Sequence, residues 1–162
     1  MTYDEAEPWR AIVASALDWH EAHAPMEAAA AGLPVALRGR RPARLPHSPW
    51  ELVEHIRLTQ ADLVEFMVDA AYTAPAWPAD YWPAEPAPPT EAAWEESLAG
   101  IRRDRERLRE LALRPDLDLT TRVPWGEGQT YLRTILVAVD HAAYHVGQLI
   151  VVRRLLDAWP AA

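Results

Sequence analysis

An α-helix does not run undisturbed through proline, whose ring removes a backbone N–H and collides with the preceding turn. In this chain of 162 residues the prolines collect mainly between the stretches whose apolar residues recur every three or four positions. The sequence therefore reads as four long helices joined by proline-bearing connections, with no convincing strand pattern. The first runs from about Asp4 to Ala31. Pro8 sits in its first turn, Pro25 kinks or breaks it, and Gly32-Leu33-Pro34 closes it. Residues 34–47, rich in proline and arginine, form a loop. The second helix has the clearest start: Ser48 as N-cap, Pro49 at the first position, and Glu51 where a capping box places its carboxylate. Its apolar face, from Leu52 to Met67, continues to about Ala71. Residues 72–90 combine Pro75, Pro78, Pro83, Pro86, Pro88 and Pro89 with Trp77, Tyr81 and Trp82. No regular element is expected there. Three large aromatics imply a long crossover packed onto the helices, with a polyproline recognition segment as the alternative.

A third helix follows Thr90, its stripe carried by Trp94, Leu98, Ile101, Leu108 and Leu111, and Arg114-Pro115 ends it. Its mixed-charge run, Arg102 to Glu110, reads as a solvated outer face. Residues 116–130 suggest a short hairpin or extended arm. The fourth helix starts at Thr130 or Tyr131 and reaches about Ala158. Its apolar residues spread around much of its circumference, so it should be the most buried. An all-α four-helix bundle, one domain over 1–162, accounts for the whole pattern.

Composition narrows the function. The formal charge of −8 argues against a nucleic-acid partner. With no cysteine, thiolate ligands, disulfides and a cysteine nucleophile are excluded, so any metal rests on histidine or carboxylate. The acidic N-terminus lacks the plan of a signal peptide. The longest apolar stretch, 142–152, is interrupted by His145 and Gln148 and is too short to span a bilayer. A soluble cytoplasmic protein without a membrane partner is the expectation.

Histidine supplies the chemistry. His141 and His145 stand four apart on the fourth helix, so both imidazoles occupy one face and can address one ion. His55, on the edge of the second helix's apolar face, is the candidate third ligand. Three histidines leave positions open on Zn(II), Ni(II), Fe(II) or Mn(II), the plan of a catalytic site, where water or a substrate heteroatom can lose its proton. Buried histidines satisfied by carbonyls or carboxylates are the competing explanation. Tyr144, Glu51 and Asp140 are candidates to accept the imidazoles' other N–H groups. Gln148 can orient a ligand, and Gly147 can admit a neighbouring backbone. His20 and His23 read as a wet helix end. Arg38, Arg40, Arg41 and Arg44 read as solvated, with recognition of an anionic substrate as the alternative.

The stretches Ser48-Pro49-Trp50-Glu51-Leu52-Val53-Glu54-His55-Ile56 and Asp140-His141-Ala142-Ala143-Tyr144-His145-Val146-Gly147-Gln148-Leu149 together resemble the DinB family. That family has one histidine early in its second helix and an H-x-x-x-H-x-G-Q pattern in its fourth. The resemblance extends over nearly the whole chain, through the proline–tryptophan crossover to Arg153-Arg154-Leu155-Leu156. It implies an up-down-down-up bundle and a divalent metal, often nickel or zinc, on His55, His141 and His145. It also implies a homodimer, for which the eight tryptophans supply ample apolar surface. Relatives include transferases and isomerases that use a low-molecular-weight thiol. By resemblance, such a thiol ionises at the metal and attacks an electrophilic small molecule, with Arg38 to Arg44 or Arg122 meeting its carboxylates. A metal-dependent hydrolase fits the same ligands, as does a metal-binding stress or damage-response protein without catalysis.

Overall fold

The helices form where caps and periodicity coincide. In the computed structural model, which describes residues 7–18 and 22–160, these are α1 (Pro8–Ala16), α2 (Met26–Ala30), α3 (Pro49–Val68), α4 (Glu91–Leu113) and α5 (Tyr131–Leu155). Single 3-10 turns occur at Val35–Leu37 and Ala79–Tyr81, the latter inside the proline-rich crossover, and no strand forms among the described residues.

Each long helix starts on a hydroxyl that satisfies an otherwise orphaned donor. Ser48 Oγ accepts from Glu51 N at 3.2 Å, while Glu51 Oε2 accepts from Ser48 N at 2.8 Å, completing the capping box. Thr90 and Thr130 cap α4 and α5 more simply, each hydroxyl accepting from the backbone N–H three residues on, Ala93 and Arg133. At the far end of α4, Arg114 is extended (ψ 117°) as Pro115 requires. The buried guanidinium of Arg10 donates to the carbonyls of Ala112, Arg114 and Leu117, serving the orphaned acceptors there.

Four expectations need correction. The first helical pattern breaks well before Pro25: α1 ends at Ala16, and Pro25, extended (φ −68°, ψ 164°), only marks the entry to α2. Residues 116–130 form no strand pair but one antiparallel bridge, Arg122 with Thr130; the intervening Pro124 and Gly126 prevent a longer ladder. The charged run of α4 is not simply solvated. Asp104 is buried between Arg103 and Arg107, and Arg105 and Arg107 reach Glu27 of α2 and Glu65 of α3. Finally α3, not α5, buries more of its surface, since α5 exposes Leu136, Tyr144, Val151 and Leu155. By length and composition alone the 25 residues of α5 could cross a membrane. Here its inner face packs on α3.

The core divides along α3. Its first half, Trp50 to Ile56, packs with α2, with Trp94 and Ile101 of α4, and with Val146 to Val152 of α5. Its second half, Val64 and Met67, packs with Ala14 of α1, Leu108 to Ala112 of α4, and Tyr131 to Ala138 of α5. Where the two halves meet, α3 and α5 present their histidines to each other.

Candidate metal centre

Helical geometry places Thr59 one turn after His55, and His145 one turn after His141. The structure gathers His55, His141 and His145 so that one ligand nitrogen of each lies within 4.8 Å of the other two. His55 is 2% exposed and His145 is 7% exposed, so the cluster lies largely out of water.

The Nδ1 atoms decide what this cluster can do. His55 Nδ1–H donates to the Tyr81 carbonyl at 2.7 Å. His145 Nδ1–H donates to Gln148 Oε1 at 2.7 Å. Thr59 Oγ1 donates to the His55 carbonyl at 2.8 Å and lies 3.2 Å from His141 Nδ1, from which it accepts when that nitrogen carries the proton. With every Nδ1 protonated in a neutral ring, every Nε2 carries a lone pair. His55 Nε2 and His141 Nε2 nonetheless approach to 3.1 Å. Two facing lone pairs repel, and a cation between them removes the conflict. Nitrogens bound at 2.0–2.1 Å to a tetrahedral zinc stand about 3.3 Å apart, so the observed spacing fits a shared ion. Without an ion, His141 can instead carry its proton on Nε2 and donate to His55 Nε2, its Nδ1 then accepting from the Thr59 hydroxyl.

The surroundings favour neutral rings. Burial pushes His55 down to about 4, against which the Tyr81 carbonyl acts, while His145 and His47 add to the depression. His141 also falls to about 4 through burial and its two imidazole neighbours. His145 is lowered by burial, partly offset by Gln148. Neutral imidazole is the form that binds a metal.

The crossover contributes what residue types alone do not announce. Trp82 stacks flat on His55, with centroids 3.8 Å apart and planes 4° apart. His47, from the 34–47 loop, stacks on the indole's other face at 4.0 Å and 8°. The aromatics of the crossover signalled packing, but a backbone acceptor such as the Tyr81 carbonyl leaves no mark in a sequence. Thr59 lies one turn past His55 on α3, and nothing in the sequence marks its role.

The other predicted residues are placed as follows. Gln148 meets His145, and Tyr144, although 62% exposed, stands edge-on to the same ring at 4.9 Å. Glu51 does not reach the histidines: its carboxylate is committed to Ser48 N and to Arg41, whose guanidinium approaches to 2.5 Å. Asp140 is exposed and makes no contact with the cluster, because its direction on α5 differs from that of His141. Gly147 admits no neighbouring backbone; a Cβ there would meet nothing within 4 Å. His23 Nδ1 bonds the adjacent Ala24 carbonyl, and His20 lies outside the described residues. The arginines do not assemble into an anion site. Arg38 stacks over Trp94, Arg41 pairs with Glu51, and Arg40, Arg44 and Arg122 are exposed.

The structure is thus all-helical among its described residues, with three histidines on two helices placed so that they could hold a metal ion. The family model of the DinB superfamily matches residues 18–149, which hold all three histidines, both stretches that resemble that family and the crossover between α3 and α4. The chain belongs to the DinB superfamily. No match emerges among characterised proteins or among solved structures.

Proposed function

We propose that this protein is a divalent-metal-dependent enzyme, with His55, His141 and His145 as its ligands, that joins a low-molecular-weight thiol to an electrophilic small molecule. The observation that carries the reading is the gathering of three histidines within 4.8 Å, each with an oxygen beside its Nδ1 that leaves Nε2 free to bind. A divalent ion held there, zinc or nickel first and iron or manganese next, supplies an open position and lowers the pKa of a thiol or water entering it. Everything else falls to the chain. Tyr81, Thr59 and Gln148 hold the imidazoles in one tautomer and one orientation. Trp82 covers one face of His55 and keeps water from it. Since the chain has no cysteine, the sulfur comes from a cosubstrate.

The up-down-down-up order belongs to the same reading. The first halves of α3 and α4 share one core cluster with the end of α5, and their second halves share the other with its beginning. This supports α3 and α4 running parallel with α5 opposed.

Metal content and turnover of purified protein, apo and reloaded with zinc or nickel, test the reading. Expected are one ion per chain, conjugation of a thiol such as glutathione to an activated aryl halide only in the loaded form, and loss of both in His145→Ala. Full metal occupancy in His145→Ala would refute the site. Chelation that collapses the fold, with no thiol or ester substrate ever turned over, would refute the enzyme and leave a structural metal.

A further inference from the structure

Beside the histidine cluster lies a cavity of about 450 Å³, bounded by the 34–47 loop, the start of α3 and the outer face of α5. Its volume is that of a small-molecule site. Leu45, Leu52, Tyr144 and Val151 make its walls mostly apolar, and no charged side chain lines it. Two polar side chains interrupt them, and both lead to the cluster. Gln148 is bonded to His145, and His47 is stacked through Trp82 onto His55.

The floor of the cavity holds Gly147, in the interior of α5. Glycine weakens a helix interior relative to alanine, and it is normally tolerated where a side chain would collide. Nothing collides here: a Cβ at 147 points into open space. Neither local conformation nor packing asks for glycine at this position. What it provides is unfilled volume next to His145.

We propose that this cavity receives the apolar body of a neutral substrate, with His47 and Gln148 holding its polar end beside the three histidines. The assignment rests on the metal-dependent reading above and adds a substrate class to it. Two features of the structure select a small neutral occupant: the uncharged walls, and continuity with the cluster through His47 and Gln148. The anionic thiol or substrate for which the arginines were candidates finds no guanidinium here.

Fluorescence titration of the full chain with N-phenyl-1-naphthylamine, a neutral apolar probe with one N–H, tests the proposal. Its anionic relative 8-anilino-1-naphthalenesulfonate serves as the comparison. The neutral probe is expected to bind once per chain and more tightly than the sulfonate. Gly147→Leu should weaken it at least tenfold and His47→Ala several-fold, while Gly147→Ala binds as before and melts slightly higher. If Gly147→Leu fails to fold, Val151→Trp fills the same space from the cavity's other end. Unchanged affinity in a folded filling variant would overturn the proposal. So would tighter binding of the sulfonate, or a wild-type chain that binds neither probe and forms a dimer which Gly147→Leu dissociates, since a second copy would then occupy the cavity. Metal content measured on the same samples separates the two readings. A chain that holds no ion yet shows the Gly147→Leu effect refutes the metal centre and supports the cavity.

Discussion

Thr59→Val isolates the device that orients one histidine without touching a ligand. The two side chains have nearly the same shape, and Thr59 is 7% exposed, so the packing around it is retained. What disappears is the oxygen that accepts from His141 Nδ1–H at 3.2 Å. The hydroxyl's own bonds, to the carbonyls of His55 and Ile56 within α3, contribute little, because those carbonyls also serve the helix. Left with a buried unpaired N–H, His141 gains by moving its proton to Nε2, where His55 Nε2 waits at 3.1 Å. That proton occupies the lone pair a metal needs. Loss of such an outer partner weakens metal binding by about 10–100-fold, equivalent to about 1.4–2.8 kcal/mol. Competition with a chelating dye at pH 7.5 measures the loss, and Thr59→Ser, which keeps the oxygen, should restore the affinity. Metal affinity within twofold of wild type in Thr59→Val would refute the assignment of the His141 tautomer. A large fall in melting temperature of the metal-free variant would show instead that Thr59 acts through the fold.

Two further predictions concern stability. Metal-free protein should lose stability as pH falls from about 6.5 towards 4. Unfolded histidine takes up its proton near 6.5, whereas burial holds folded His55 and His141 neutral down to about 4. Over that interval the unfolded chain binds more protons, and the native state is disfavoured. Melting temperatures across a pH series, repeated on His141→Gln to remove one titrating group, should show the smaller slope in the variant. Ser48→Ala should cost about 1–2 kcal/mol in urea unfolding. It removes the cap of α3 and the hydroxyl that donates to the Pro86 carbonyl, leaving the Glu51 N–H without its partner; an unchanged midpoint would rule out the capping box as a stabilising element.

Local signals were legible in the sequence wherever one residue type settles a backbone choice. Ser48-Pro49 with Glu51 announced the start of α3 to the residue, and Thr90 and Thr130 announced α4 and α5. The break in the first pattern was harder to place, because apolar spacing continues past Ala16 while the chain does not remain helical up to Pro25. His141 and His145 declared a shared face by spacing alone, whereas pairing them with His55 required knowing which helix faces which. The orienting partners were mostly hidden. Glu51 and Asp140 had the right chemistry and the wrong place, one consumed by a cap and the other turned outward. A carbonyl from the crossover serves His55 in their stead. Carboxylates are visible in a sequence and carbonyls are not, so reading by residue type favours the wrong acceptor.

The crossover is fastened to the rest of the chain at close range. An added Cβ on Gly39 would lie 2.4 Å from that of Ala87, and Ser48 Oγ donates to the Pro86 carbonyl at 2.5 Å. Tyr81 and Trp82 then complete the environment of His55 from a segment with almost no regular structure. Because these contacts exist only when 72–90 is docked, whatever prefers a correctly held His55 also prefers the docked segment, and by linkage stabilises it. A stretch that would otherwise be a long tether thus shares its order with the centre it encloses. Occupancy of the histidines and protection of the crossover from proteases rise and fall together.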